Sequence, residues 1–146
     1  MLTLLFAVFA ARFSFPESST APQRVSVAIQ NREFNAEIAD TIATRNHGLS
    51  DRASLPQDAA MLFVFQIPGP YGFWMKDMHF PIDIIWIRRG KIIGFSENLP
   101  PPAPGTSMLK LPSYYPPGTV DRVLEINAGL VKKYGIAVGD PVAVVF

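Results

Sequence analysis

Two segments near residue 30 alternate between apolar and polar positions. Residues 25–29 (VSVAI) place an apolar side chain at every second position, and residues 34–38 (FNAEI) repeat the pattern. A period of two is typical of a β-strand that buries one of its faces. Asn31, between the two segments, is a residue that favours turns. The pattern therefore predicts a β-hairpin.

Apolar runs in the centre of the chain predict further strands. Residues 61–65 (MLFVF) are continuously apolar, and their short length and aromatic content favour a buried strand over a helix. Residues 73–76 (FWMK) are predicted as a strand that is interrupted near Pro81. Residues 83–87 and 92–97 flank a tight turn, RRGK, and are predicted to pair as a second hairpin.

Two short helices and two late strands complete the prediction. A helix is expected to open at Asp40 or Thr41, which can cap it, and to end at Gly48. Residues 120–126 and 141–146 are predicted as strands. Asn127 is expected to cap a second helix over residues 128–134.

Residues 99–117 carry half of the 14 prolines in the chain. Proline lacks a backbone N–H and cannot occupy a helix interior or a central strand, so this stretch is predicted to be an extended surface loop. About eight short strands with two short helices indicate a mainly β fold, a small antiparallel barrel or sandwich of the jelly-roll type. We expect residues 24–146 to form this single domain, behind an apolar N-terminal segment and linker over residues 1–23.

The N-terminal segment suggests export. Residues 2–11 (LTLLFAVFAA) have the length of the apolar region of a signal peptide and are too short to span a bilayer alone. We therefore expect an extracytoplasmic location, periplasmic or secreted, with a membrane tether through residues 2–11 as the alternative. An uncleaved apolar tail also fits this segment.

Composition narrows the chemistry. The net charge is +1, and no basic run exceeds two residues, so no nucleic-acid partner is predicted. The absence of cysteine excludes disulfides and thiolate catalysis. His47 and His79 lack the spacing of metal ligands and are expected on the surface, and we predict neither a metal nor a cofactor.

Several motifs taken together resemble a known family. These motifs are TRNHGLSDR at 44–52, MLFVF at 61–65, FWMKDMHFPIDIIWI at 73–87, VLEINAG at 123–129 and GIAVGD at 135–140. Together they resemble the bacterial and archaeal family called domain of unknown function 192, from about residue 25 to the C-terminus. The resemblance implies a compact β-barrel or jelly-roll-like domain, often behind a signal peptide, with no established reaction and no catalytic residues to carry over.

The sequence departs from the family pattern at two informative positions. Asp77 stands where asparagine usually follows FWMK, so an amide that donated a hydrogen bond there would be lost. Thr44 replaces a usual glutamate, which is expected to remove the capping-box partner of Thr41.

One set of candidate binding residues surrounds FWMK. In a strand, Trp74 and Lys76 would share one face, which suggests a binding surface. Asp83 can pair with Lys76 or Arg45 in a structural ion pair, which is the favoured interpretation, or act with Lys76 as an acid/base pair. Tyr114 and Tyr115 lie between prolines, where they form either a contact platform or a cover over the mouth of the barrel.

A second set of candidates involves a charge in an apolar strand. Glu125 shares its predicted face with Val123, and a buried carboxylate needs a cation or a hydrogen-bond donor. Arg45 and Arg52 are the predicted partners. They form either a structural clamp with Glu125, which is favoured, or a pocket that recognises an anion.

Three hypotheses for function follow. The leading one is a non-enzymatic domain of the cell envelope that binds a small ligand or an envelope protein, using Trp74, Lys76, Arg45 and the two tyrosines. A small cofactor-free enzyme, hydrolase-like or isomerase-like, would use Asp77, Asp83 or Glu125 with Lys76. An accessory packing subunit of a membrane complex would use residues 2–11.

Overall fold

A computed structural model describes residues 21–145 of the chain. The apolar run at 2–11, most of the linker and Phe146 lie outside the described residues. The signal-like leader and the membrane tether therefore stay predictions. No helix within residues 21–145 is long and apolar enough to cross a lipid bilayer.

The described residues form nine strands and two α-helices. The strands are β1 (Arg24–Ile29), β2 (Arg32–Ala39), β3 (Ala59–Gly69), β4 (Phe73–Trp74), β5 (Ile82–Arg88), β6 (Lys91–Leu99), β7 (Ser113–Tyr114), β8 (Val120–Asn127) and β9 (Val142–Val145). The helices are α1 (Ile42–His47) and α2 (Leu130–Tyr134), and Met108–Lys110 forms one turn of 3-10 helix. Both predicted hairpins, β1 with β2 and β5 with β6, are confirmed.

Seven of these strands form one curled sheet. Their order is β6-β5-β8-β3-β2-β1-β9, and β4 pairs with β7 in a separate two-stranded ribbon. The outer strands β6 and β9 meet at one end, where Lys91 bridges Pro141 and the amide of Ile92 donates to the carbonyl of Asp140 at 3.0 Å. The sheet is thus a half-barrel, and the prediction of a mainly β domain with a small barrel-like sheet and two short helices is confirmed.

One strand pair within this sheet is parallel. β2 and β3 run in the same direction. Helix α1 and the loop after it carry the chain from the end of β2 back to the end of the sheet at which β2 began, and β3 starts there. The other pairs of the sheet are antiparallel, as the sequence pattern predicted.

The central strands of the sheet are buried on both faces. The inner face, which we define by its packing against α2, includes Phe34, Leu62 and Ile85. The outer face includes Phe63 and Trp86 and is covered by side chains from the loops that connect the strands, among them Leu49, Met75 and Phe80. The loops therefore complete a second core instead of lying free in solvent.

Helix α1 keeps its capping box although Thr44 stands where the family usually has glutamate. The Oγ1 atom of Thr41 accepts a hydrogen bond from the amide of Thr44 at 3.1 Å, and the amide of Thr41 donates to Oγ1 of Thr44 at 3.0 Å. The expectation that threonine at position 44 removes the capping box is wrong, because its hydroxyl also reaches back to the N-cap amide.

Three element boundaries differ from the prediction. The FWMK strand ends at Trp74, and Lys76 lies in the following turn. The strand predicted at 61–65 continues to Gly69, through residues expected to be a loop. The proline-rich stretch is irregular for most of its length, but Ser113 and Tyr114 pair with Trp74 and Phe73, which gives the loop a strand of its own.

Asn127 does not cap α2, which starts at Leu130, two residues later than predicted. The N-cap residue is Gly129, which has a left-handed backbone conformation and no side chain that could cap the helix. The side-chain amide of Asn127 donates instead to the carbonyls of Leu55 and Pro56. The start of α2 therefore needs a partner from elsewhere in the fold.

Asp83 on β5 supplies that partner. Its carboxylate is fully buried on the inner face and accepts hydrogen bonds from the amide of Val131 at 3.0 Å and from the amide of Asn98 at 2.8 Å. Asn98 lies at a bulge in β6 and has a positive φ of 52°. The prediction that Asp83 pairs with Lys76 or Arg45 is wrong, because the carboxylate faces the barrel interior and binds backbone amides there.

We predict that Asp83→Ala lowers the free energy of unfolding by about 3 kcal/mol, because the buried amide of Val131 and the partly buried amide of Asn98 would lose a charged acceptor. Urea denaturation followed by circular dichroism measures this, with exposed Asp58→Ala as the matched control. A loss below about 0.5 kcal/mol would contradict the structural role, since ordinary surface substitutions stay within that range.

Candidate functional site

An open groove on the outer face has a volume of about 820 Å³. Three parts of the chain enclose it: the start of α1, the second half of β3 and the β4–β7 ribbon. We call it the aromatic groove. The residues that line it are Asp40, Thr41, Ile42, Arg45, Asn46, Phe63, Phe65, Gln66, Ile67, Tyr71, Gly72, Phe73, Trp74, Ser113 and Tyr115.

Stacked rings form the apolar part of the groove. Phe65 and Tyr71 stack with their ring centroids 3.8 Å apart and their planes 11° apart, and the Tyr71 hydroxyl donates to the carbonyl of Ile67 at 2.6 Å. Phe73 packs edge-on against Phe63 at 4.9 Å, which joins the groove to the outer core. These contacts hold the rings in place without a bound ligand.

The β4–β7 ribbon aims two exposed aromatic side chains into the groove. Trp74 pairs with Ser113, and Tyr115 lies two residues further along on the same face. Trp74 is 42% exposed and Tyr115 63% exposed. Gly72 makes this arrangement possible, because a Cβ atom there would lie 2.7 Å from the ring of Tyr115. Tyr114 points the other way and packs, half-buried, against the outer core.

Arg45 uses its charge to hold the groove together. Its guanidinium donates to the carbonyl of Asp40 and to that of Val64, the latter at 3.0 Å, and lies 5.2 Å from the centre of the Phe65 ring. These bonds tie α1 to β3. The guanidinium therefore helps to build the wall of the groove.

The groove also carries polar side chains with unused hydrogen-bonding capacity. Asp40, Asn46 and Gln66 are exposed, and within residues 21–145 their side chains form no hydrogen bond to another residue. A carboxylate accepts hydrogen bonds, while each carboxamide both donates and accepts them. The groove thus combines fixed aromatic faces with free polar groups, the usual composition of a small-molecule site.

Three of the predicted site residues meet in this groove: Arg45, Trp74 and Tyr115. Lys76 does not, because the strand ends before it and the ammonium group pairs with Asp77 in the turn. That hydrogen bond to Asp77 raises the pKa of Lys76. The proposed surface shared by Trp74 and Lys76 is therefore wrong.

Asp77 owes its position to its backbone conformation. Its φ is 54°, in the left-handed region that asparagine, aspartate and glycine adopt most readily. Its carbonyl accepts a hydrogen bond from the amide of Asp51 at 2.8 Å. The side chain is exposed and pairs with Lys76, so this turn forms without a side-chain amide donor at position 77.

Arg52 forms a clamp, but with a different glutamate from the one predicted. It donates to both carboxylate oxygens of Glu37, at 3.0 and 2.6 Å, and Arg24 donates to the same carboxylate at 2.8 Å. The hydrogen bond from Arg52 lowers the pKa of Glu37 below its usual range. The expected clamp of Arg45 and Arg52 on Glu125 is therefore wrong.

Glu125 is buried on the outer face without either arginine. It lies beside Met61 and Ile84 in the register of the sheet, and burial raises its pKa to about 8. At neutral pH the side chain is therefore a protonated acid. Neutralisation, instead of an ion pair, is how the fold accommodates this group.

The two histidines occupy exposed positions, as predicted. Among the described residues, no group of three or more His, Asp or Glu side chains is arranged to hold a metal ion.

Sequence reasoning missed several groove residues. The pattern predicts that a buried strand ends at Phe65 and that a loop follows it. In the structure β3 continues through Gln66 and Ile67, and its second half is open to solvent. The neighbouring Pro68-Gly69-Pro70 signal, followed by Tyr71, marks the bend that opens this edge. Asp40 and Asn46 carry no signal beyond their place in a short predicted helix.

A match to a family model places this chain in a known family. A family model described as domain of unknown function 192, Uncharacterized ACR, matches residues 25–144. The chain belongs to this family, which confirms the resemblance in its motifs. Comparison with curated proteins finds no match.

Two solved structures share the fold. A protein from Sinorhizobium meliloti 1021, described provisionally as a transcription regulator, has a TM-score of 0.76 at 28% identity over 84% of this chain and 95% of its own. A protein of unknown function from Novosphingobium aromaticivorans DSM 12444 has a TM-score of 0.76 at 28% identity, over 94% of this chain and 99% of its own.

We predict that Glu37→Gln lowers the free energy of unfolding at pH 7 by about 2 kcal/mol, because it weakens a partly buried ion pair. The folded-state pKa of Glu37 is lowered, so the contribution is present above its unfolded pKa of 4.5 and is lost as the pH falls. Urea denaturation at pH 7 and pH 3 should show the deficit shrinking at the lower pH. An equal deficit at both would contradict the ion-pair role.

We predict the opposite pH dependence for Glu125. Between its unfolded pKa of 4.5 and its folded pKa of about 8, the folded state holds a proton that the unfolded state has lost. Stability should therefore fall by up to about 1.4 kcal/mol for each pH unit in this window.

Glu125→Gln should remove this slope and exceed the wild type in stability at pH 8, because the amide cannot ionise. Denaturation at pH 5, 6.5 and 8 measures the effect, with exposed Glu97→Gln as the matched control. If the slope persists in Glu125→Gln, another group is responsible.

Proposed function

We propose that this protein is a non-enzymatic binding domain of the cell envelope, and that its ligand occupies the aromatic groove. The observation that carries the proposal is that exposed Trp74 and Tyr115 line one groove together with a stacked pair of half-buried rings, Phe65 and Tyr71. Exposed aromatic side chains held in fixed positions cost little entropy when a ligand covers them.

The volume and lining support a ligand of modest size. About 820 Å³ lies within the range of small-molecule sites, and the groove has both apolar faces and free polar groups. The absence of a side chain at Gly72 leaves room for the Tyr115 ring, and the hydrogen bond from Arg45 to the carbonyl of Val64 fixes α1 against β3. Both features favour a site that is formed before the ligand binds. The envelope location rests on the apolar run at 2–11.

The arrangement of the carboxylates does not favour the enzyme hypothesis. Asp83 faces the barrel interior, Glu125 lies on the opposite face of the sheet, and Asp77 lies in an exposed turn. Asp77 pairs with Lys76 in that turn, outside the groove, and neither Asp83 nor Glu125 joins them in one cleft, which an acid/base site requires. The hypothesis of a packing subunit rests on residues outside the described part of the chain and stays a prediction.

We predict that ligand binding perturbs the residues of the aromatic groove. The measurement is a ¹H–¹⁵N NMR titration of the protein with neutral oligosaccharides, a proline-rich decapeptide, an anionic trisaccharide, a fatty acid and duplex DNA. The last probe is included because one structural relative is described provisionally as a transcription regulator. At least one probe should shift groove resonances, with the effect reduced about tenfold or more in Trp74→Ala.

Leu109→Ala is the matched control, because Leu109 is 97% exposed and lies outside the groove. It should leave binding unchanged. Shifts confined to residues outside the groove, or no binding by any class of probe, would overturn the proposed function.

A further inference from the structure

The exposed rings of the groove suit a flat ligand with one apolar face. Trp74 and Tyr115 present their rings from the same side of the ribbon, and both keep a polar edge, the indole N–H and the phenol hydroxyl. A pyranose sugar has C–H groups on its ring faces and hydroxyls around its rim. Its faces can pack on aromatic rings while its rim meets polar groups.

The polar side chains of the groove match that rim. Asp40 and Asn46 belong to the α1 side and Gln66 to β3, so they approach the ligand space from other segments than the two rings. Asp40 accepts only, whereas the two carboxamides donate and accept through adjacent atoms. Neighbouring hydroxyls of a sugar can supply both a donor and an acceptor to one carboxamide.

The charge of the groove argues against an anionic ligand. Arg45 is the cation among the described lining residues, and its guanidinium is already bonded to two backbone carbonyls. Asp40 remains exposed in the same groove. The single positive charge of Arg45 is balanced by Asp40, so the described lining residues carry no net positive charge to attract a phosphate or carboxylate.

Two other ligand classes also fit poorly. A proline-rich peptide binds aromatic grooves, but its prolines have no backbone N–H to donate to Asp40. A purely apolar ligand would cover Asp40, Asn46 and Gln66 and leave their hydrogen bonds unmade, which costs free energy. A neutral ligand with many hydroxyls avoids both penalties.

We infer that the aromatic groove binds a short, neutral oligosaccharide, with Trp74 and Tyr115 as the stacking platform and Asp40, Asn46 and Gln66 as the groups that bind its hydroxyls. This inference rests on the proposed function and specifies its ligand. Orientation comes from the polar groups, and most of the affinity comes from covering the two rings.

The test is a titration with four trisaccharides: cellotriose, maltotriose, mannotriose and chitotriose. Binding is followed by NMR and by tryptophan emission, which reports on the groove because Trp86, the second of the two tryptophans, is fully buried. We expect at least one trisaccharide to bind with a Kd of about 10 µM to 1 mM.

Variants of exposed residues test the assigned roles with little risk to the fold. Trp74→Ala and Gln66→Ala should each weaken binding about tenfold or more, whereas Leu109→Ala should not change it. Thermal denaturation confirms that each variant is folded. Binding that survives both groove substitutions unchanged would overturn the inference.

Further outcomes separate this inference from the proposed function. If no neutral trisaccharide binds, but the proline-rich decapeptide, the anionic trisaccharide (trigalacturonate), the fatty acid or duplex DNA shifts the groove resonances, the carbohydrate inference is overturned and the binding function stands. If no probe of any class shifts them, both are overturned.

Discussion

The central strands of this sheet are buried on both faces, and the remaining architecture meets that requirement. In β5 every residue from Ile82 to Ile87 is buried. On the inner face, the curl of the sheet and helix α2 bury the apolar side chains. The outer face needs separate cover, which the connecting loops supply with Leu49, Met75 and Phe80. Burial of this apolar surface provides the dominant driving force for folding.

The aromatic groove lies where that cover stops. β3 is buried through Phe63, but from Gln66 to Pro68 its side chains are exposed. The β4–β7 ribbon folds over the edge of this region without closing it. The same rings, notably Phe63 and Phe73, belong to both the core and the groove. Packing in the outer core therefore also fixes the positions of the rings that line the groove.

Three buried carboxylates have three separate environments. Asp83 stays in the barrel interior by accepting bonds from two backbone amides. Glu37 is held by two arginines at the edge of β2. Glu125 has neither kind of partner among the described residues, and burial raises its pKa instead. Each is a different way to offset the cost of removing a carboxylate from water.

Local pattern predicted the strands well, because alternation and apolar runs report directly on burial. It predicted β1, β2, β5, β6 and β8 nearly to their ends. It failed for Lys76, since four residues with strand composition cannot show that the strand stops after two. It also failed for the partner of Arg52, because the pattern drew attention only to the carboxylate in an apolar strand, Glu125, whereas the packing brings Glu37 within hydrogen-bonding distance.

By itself, the sequence determined the fold class, both hairpins, the presence of helix α1, and membership of the family. Each of these depends on neighbouring residues or on motifs that are visible along the chain. Only the tertiary structure decided which side chains share the groove, because its walls come from segments up to 75 residues apart, from Asp40 to Tyr115. Side-chain direction and charge pairing depend on distances across the sheet, which no local pattern encodes.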